Sequence, residues 1–333
     1  MNVRRSHISA AALAAVAALG LGTLTACSSD SAAAGDSGTF DVVASFYPMA
    51  FLAERIGGEH VSVTSLTEPG QEPHDLEISA KQTAQLEESD AALYLKGLQP
   101  SVDEAIGQSP VETKIDAATL TSLEAHGAEA GGHEEEHAEE EHAEEEHAEE
   151  EHGHDHEHKD GEDPHVWLDP VKYAEVAEGV GKAFAKADPD HAADYEKNTA
   201  TLVGELNELD EKFETGLANR KKSVFITTHA AFGHLAERYG LTEEAISGLD
   251  PESEPSGARV KELQGMAKAD GVTTVFYETL VSDRAAKTLA GDTGLRTDVL
   301  DPLEGITDAS RGDDYFQVME ANLKALQRAL GAK

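Results

Sequence analysis

The chain has 333 residues, with 26 basic and 65 acidic side chains and a formal net charge of −39. Because nucleic acids need a basic face for their phosphates, this charge excludes a nucleic-acid partner. The length is typical of about two domains. Cys27 is the only cysteine, so these residues cannot form an internal disulfide.

The N-terminus has the layout of an export signal. Arg4 and Arg5 precede an apolar stretch over residues 8–21, which is too short to span a bilayer of about 30 Å comfortably. Leu24-Thr-Ala-Cys27 resembles the lipobox of bacterial lipoproteins, in which the cysteine is acylated. We therefore expect a signal peptide at 1–26, lipid anchoring through Cys27 to the outer face of the bacterial cytoplasmic membrane, and a flexible tether at 27–38.

Folded sequence begins at Thr39, where apolar runs alternate with helical spacings. The predicted strands and helices of this part are strands 40–46, 61–67 and 91–96 and helices 49–56 and 80–88. This alternation is typical of βαβ units with a parallel sheet. It predicts an N-terminal α/β lobe over residues 39–168.

A run rich in histidine and glutamate interrupts this lobe. Its histidines are His133, His137, His142, His147, His152, His154, His156 and His158. Imidazoles among carboxylates are typical of a metal-collecting tract, and the run has no residues for a core. We expect a disordered insert over 124–162 with weak accessory metal sites. A solvated acidic spacer is the alternative. His133-Glu-Glu-Glu-His137 also fits a zinc-peptidase motif, but it lacks the apolar flanks of a buried helix.

A helical block follows the insert, and strands then resume. Asp169 and Pro170 predict the start of a helix that reaches 187, and a second helix runs over about 191–217. The later elements are strands 223–229, 244–247, 272–278 and 299–300 and helices 231–239, 259–269, 283–290 and 315–330. The pattern predicts two α/β lobes, each with a mainly parallel sheet flanked by helices, joined by a long helical connector at 169–218. The C-terminal lobe covers 219–333.

Three histidines lie where strands of such lobes end and ligands bind: His74, His165 and His229. One such histidine would more often be a hydrogen-bonded loop residue, but three favour a metal site. Neutral imidazole is the usual nitrogen ligand of tetrahedral zinc. We expect a fourth ligand from the last strand end, with Glu304 favoured and Asp301 as the alternative. If neither side chain binds the metal, Asp301 caps the turn and the Glu304 side chain faces solvent.

Four motifs carry a family resemblance: Glu72-Pro-His-Asp75, Asp163–Pro170, Thr228–Phe232 and Leu300–Glu304. Together they resemble the zinc-binding lipoproteins, the substrate-binding proteins of bacterial ABC metal-uptake systems. The resemblance covers nearly the whole mature chain and includes a histidine-rich insert at the same place.

The resemblance implies a fold and a function. It implies two lobes bridged by a long rigid helix, with the metal held between His74 and His165 of the first lobe and His229 and Glu304 of the second. It further implies a monomeric, non-enzymatic receptor that delivers Zn²⁺ to an ABC permease and its ATPase. Manganese members usually carry a carboxylate at the position of His229, so three imidazoles favour zinc.

Three alternatives stay open at this point. The first is a receptor of the same family for manganese or another divalent ion. The second is a zinc hydrolase, since three histidines and an open position activate water, although no general base is evident and Glu304 would fill that position. The third is a surface metal buffer or adhesin that uses the same site.

Overall fold

The computed structural model describes residues 39–126 and 162–332. The predicted signal peptide, Cys27, the tether and the histidines from His133 to His158 lie outside the described residues. Among the helices that are described, none combines the length and apolar character needed to cross a lipid bilayer.

The first half of the described chain forms a parallel sheet with strand order β2-β1-β3-β4. Its strands are β1 (Phe40–Ala44), β2 (Val61–Ser65), β3 (Ala91–Tyr94) and β4 (Thr113–Asp116), and its helices are α1 (Tyr47–Gly57), α2 (Ala80–Glu88) and α3 (Pro100–Gln108). The sequence does not predict α3 or β4. α3 buries only Val102 and Ile106, and β4 is a short edge strand, so neither has a strong apolar pattern.

The second half repeats this topology, with the parallel order β6-β5-β7-β8. Its elements are β5 (Val224–Thr227), α6 (Gly233–Arg238), β6 (Thr242–Ala245), α7 (Gly257–Ala269), β7 (Thr274–Tyr277), α8 (Arg284–Thr293), β8 (Arg296–Val299) and α9 (Tyr315–Leu330). In both sheets the strand order reverses beside the first strand, and ligands of open α/β sheets bind at such points.

Two consecutive helices connect the sheets: α4 (Pro170–Ala187) and α5 (Ala192–Leu217). The carboxylate of Asp169 accepts a hydrogen bond from Val171 N at 2.8 Å and caps α4 as the sequence predicts. α5 has 26 residues and packs against α1, α4 and α9. The predicted fold class, two α/β lobes bridged by a long helix, is confirmed.

One apolar core runs through both halves. It contains Phe46 from the first half, Tyr173 of α4, Phe213 of α5, and Phe276 and Tyr315 from the second half. The rings of Tyr173 and Tyr315 lie 4.8 Å apart between centroids. Burial of this shared apolar surface stabilises the two lobes against each other, because separating them would expose it to water.

A partly buried ion pair also links α5 to α6. Asp210 accepts two hydrogen bonds from the Arg238 guanidinium, at 2.9 and 2.7 Å, and one from the Tyr239 hydroxyl at 2.9 Å. The bidentate geometry makes this one of the stronger kinds of ion pair.

We expect Asp210→Ala to lower the free energy of unfolding by about 2–3 kcal/mol, because it leaves both donors without their acceptor. Urea denaturation of the metal-free protein measures this loss. Glu211→Ala, at the exposed next position, is the matched control and should change stability by less than about 0.5 kcal/mol. Equal losses in the two variants would contradict the assignment.

Candidate metal centre

Four metal-ligating side chains meet between the two sheets: His74, His165, His229 and Glu304. His74 follows β2, His229 follows β5, Glu304 follows β8, and His165 precedes α4. One ligand atom of each lies within 4.8 Å of those of the others. The structure thus brings together the three predicted histidines and the favoured carboxylate.

The spacing of these atoms fits a tetrahedral ion. The Nε2 atoms of His74, His165 and His229 lie 3.1, 3.3 and 3.5 Å from Glu304 Oε1. Metal–ligand bonds of about 2.0–2.1 Å in a tetrahedron place the ligand atoms about 3.3–3.4 Å apart. An ion therefore fits among these atoms with little rearrangement.

Two buried carboxylates orient the imidazoles. His165 Nδ1 donates to Asp163 Oδ1 at 2.7 Å, and His229 Nδ1 donates to Glu278 Oε1 at 2.8 Å. An ionised carboxylate only accepts hydrogen bonds, so Nδ1 carries a hydrogen, and Nε2 is the nitrogen whose lone pair becomes available when the ring loses its second proton. Neither Nε2 atom has a hydrogen-bond partner. Both rings are set for a ligand on the Glu304 side.

The sequence does not single out either orienting carboxylate. Asp163 stands two residues before His165 in the Asp-Pro-His motif, and this proximity is a signal that could have identified it. Glu278 lies 49 residues from His229 and meets it because β5 and β7 are neighbours in the sheet. No local pattern predicts that contact.

A strained turn positions Glu304 in the cluster. Leu303 has a φ of 59°, a left-handed conformation that costs roughly 1–2 kcal/mol for a residue with a side chain. Asp301 holds the turn by accepting hydrogen bonds from Leu303 N at 2.9 Å and from the Thr279 hydroxyl at 3.2 Å. Asp301 therefore caps the turn, as the sequence allows, whereas Glu304 is only 1% exposed.

Trp167 connects the two loops that carry His165 and Glu304. Its ring packs against that of His165, with 5.2 Å between the ring centroids. Its indole Nε1 donates to Pro302 O at 2.7 Å, and its own carbonyl accepts from the Tyr315 hydroxyl at 2.7 Å. These bonds fix one face of the centre.

The electrostatics of the cluster follow from its burial and its charges. Burial opposes the ionised form of Glu304, but contact with the three imidazoles holds its pKa well below the usual range. Burial alone would lower the pKa of His165, yet Asp163 and Glu304 raise it to about 9. For His229, Glu278 and Glu304 likewise outweigh burial and raise the pKa. A metal ion must therefore displace protons.

Comparison with known proteins adds independent information. The family described as zinc-uptake complex component A, periplasmic, matches residues 42–329. The zinc-binding lipoprotein AdcA of Streptococcus pneumoniae strain R6 is 35% identical over 92% of this chain, which spans 58% of that relative's length. The high-affinity zinc uptake system protein ZnuA of Bacillus subtilis is 34% identical over 94% of this chain and 98% of its own length.

The fold has close counterparts among solved structures. The Zn(II)-bound ZnuA-like domain of Streptococcus pneumoniae AdcA superposes with a TM-score of 0.69 at 32% identity, covering 88% of this chain and 99% of that domain. Since the family match spans both sheets and the connecting helices, the chain belongs to the family of periplasmic A components of zinc-uptake complexes.

Proposed function

We propose that the protein is an extracytoplasmic zinc receptor that binds Zn²⁺ through His74, His165, His229 and Glu304 and delivers it to an ABC permease. The observation that carries this proposal is the set of three imidazole Nε2 atoms at 3.1–3.5 Å from one buried carboxylate oxygen. The zinc-binding and zinc-uptake names of the relatives support the same cargo.

The donor set favours zinc over manganese. Three nitrogen donors and one oxygen suit a borderline ion such as zinc, whereas manganese prefers more oxygen ligands. In the cluster of described residues, Glu304 is the one carboxylate grouped with the three imidazoles, because Asp163 and Glu278 bind the far side of their rings.

The arrangement also favours binding over hydrolysis. Catalytic zinc keeps an open position for water, but four protein ligands complete the tetrahedron here. The His165, His229 and Glu304 side chains are at most 1% exposed, and the His74 side chain is 12% exposed. A site with four protein ligands and such low exposure supports a non-enzymatic role in which zinc is cargo.

The remaining parts of the proposal concern the membrane and the release step. Cys27 would carry the lipid anchor and 27–38 the tether, so that a monomeric receptor stays near the permease and its ATPase. The lobes would be 39–168 and 219–333, joined by 169–218. Because the proposed ligands come from both lobes, release requires the permease to separate loops that the shared core holds together.

The decisive test of the site removes its ligands one at a time. We expect His74→Ala, His165→Ala and His229→Ala each to weaken zinc binding by more than about 100-fold, since even orienting partners of ligands are worth 10–100-fold. Competition against a chelator of known affinity measures this loss.

His60→Ala is the matched control for these variants. His60 is a histidine of the described fold that pairs with Asp194 at 3.1 Å, away from the cluster, and its loss should leave tight zinc binding unchanged. Retained affinity in any two of the three ligand variants would refute the site.

Zinc binding should strengthen as pH rises toward 9. Below that pH the raised pKa of His165 keeps this imidazole protonated in the metal-free protein, and zinc must displace the proton. Loss of affinity on acidification therefore begins well above the pH of about 6 expected for ordinary histidines.

Calorimetry in two buffers of different ionisation enthalpy, with one equivalent of zinc at pH 7.5, should show release of about one proton or more per ion. Asp163→Asn should reduce this number, because it removes a carboxylate that raises the pKa of His165. Zinc uptake without proton release at pH 7.5 would contradict the assignment.

We further propose that the eight histidines from His133 to His158 form weak accessory sites. Asp163 N donates to Glu124 O at 2.9 Å, so the chain lies close to itself on either side of the insert. A short Gly-Ser linker can therefore replace residues 127–161. The shortened protein should keep the tight site and lose several weak zinc ions in calorimetry. A full-length variant with these histidines changed to Gln should behave alike, and unchanged stoichiometry in both would disprove the sites.

A further inference from the structure

Glu243 of β6 contacts both ends of the His229 loop, the segment 228–232 between β5 and α6. Its Oε1 accepts a hydrogen bond from the Thr227 hydroxyl at 2.7 Å, and its Oε2 accepts one from Phe232 N at 3.0 Å. We propose that Glu243 is a positioning residue of the metal centre, which holds the His229 loop without touching the ion. This inference rests on the proposed function, because it concerns the site that would bind zinc.

Both contacts lie in the interior, where the polar groups of the loop need partners. Thr227 and Phe232 are buried, and a buried backbone N–H group requires an acceptor. Thr227 is the last residue of β5, directly before the loop, and Phe232 is the last residue before α6. One carboxyl group therefore ties the beginning and the end of the loop to the same neighbouring strand.

The segment that carries His229 is held from both neighbouring strands, since β5 lies between β6 and β7 in the sheet. The Thr227 hydroxyl binds Glu243 on the β6 side. The Thr228 hydroxyl donates to Glu278 Oε1 at 2.7 Å on the β7 side, and the same oxygen accepts from His229 Nδ1. Glu278 thus orients the imidazole ring, and Glu243 positions the backbone that carries it.

Packing alone does not explain a glutamate at this position of β6. The residue is half-buried, and burial raises the pKa of the Glu243 carboxyl to about 7. The negative charge of Asp163 adds to this rise in pKa, whereas His229 and His165 oppose it. Burial thus makes the ionised carboxyl costly here. What a carboxyl group provides, and an apolar side chain cannot, is the pair of hydrogen bonds to the His229 loop.

The test compares Glu243→Ala with Glu243→Gln in zinc affinity, measured by competition against a chelator of known affinity. Alanine removes both contacts, so zinc binding should weaken about 10-fold or more, as for other partners that orient ligands. In glutamine the amide oxygen can accept from Phe232 N, and the amide N–H can donate to the Thr227 hydroxyl oxygen. Glutamine should therefore keep the affinity within about 3-fold of the unchanged protein.

Glu244→Ala is the matched control, at the next position of the same strand. Glu244 binds Arg259 of α7 at 2.8 Å, and the described residues show no hydrogen bond from it to the His229 loop. This variant should lower the free energy of unfolding and leave zinc affinity unchanged. If both alanine variants lose affinity in proportion to their loss of stability, Glu243 is only a structural residue and the proposal fails.

Imidazole resonances separate positioning from general stability. In the zinc-loaded protein labelled with ¹⁵N-histidine, Glu243→Ala should shift the resonances of His229 and leave those of His74, on the other lobe, in place. Glu244→Ala should leave both sets unchanged. Equal shifts of His74, His165 and His229 in Glu243→Ala would overturn the assigned role.

Thr227→Val tests the contact itself, because valine has nearly the shape of threonine and lacks the hydroxyl. It should weaken zinc binding less than Glu243→Ala does, since the contact of Glu243 with Phe232 N persists. The double variant should bind zinc no more weakly than Glu243→Ala alone, because the two residues act through one hydrogen bond. Additive losses would contradict the proposed contact.

Failure of this inference differs from failure of the proposed function. If the unchanged protein shows no tight zinc site, the proposed function and the role of Glu243 fail together. If the unchanged protein binds zinc tightly and Glu243→Ala binds it equally tightly, the site stands and only the positioning role fails.

Discussion

Buried negative charge is the constraint on which the centre depends. Glu304, Asp163 and Glu278 are carboxylates at most 4% exposed, and they surround imidazoles that are themselves removed from water. Removing an ionised carboxylate from water costs free energy unless positive charge lies beside it. In the metal-free protein, protons on His165 and His229 supply this positive charge. A bound divalent cation supplies the positive charge in place of those protons. In the proposed function, zinc binding is therefore an exchange of protons for metal within a charge pattern that the fold has already set.

The frame around this charge is rigid because apolar packing and a few buried hydrogen bonds cross between the lobes. The Trp167 indole binds Pro302 O, and the Tyr315 hydroxyl binds Trp167 O, so the loop of His165 and the loop of Glu304 move together. A preorganised site loses little entropy when it binds an ion. The same contacts oppose any separation of the two loops, so the release step in the proposed function would need work from the permease.

The sequence predicts the parts of this arrangement that have local patterns. The long helices follow from apolar periodicity and from the Asp169 cap, and the three histidines follow from their places at strand ends. It does not predict α3 and β4, which bury few side chains, or Glu278, which reaches His229 through strand adjacency. Local sequence favours Glu304 as the ligand but leaves Asp301 open as the alternative. The left-handed turn at Leu303 distinguishes them, and such a turn is a tertiary property.

Asp163 connects the metal centre to His126. Its Oδ1 accepts from His165 Nδ1 at 2.7 Å, while its Oδ2 faces His126 Nδ1 at 3.1 Å. One buried carboxylate thus holds an imidazole of the centre and an imidazole of the segment that leads into the histidine-rich run. The orientation of His165 therefore depends on a residue that both contacts share, although His126 lies 39 positions earlier in the chain.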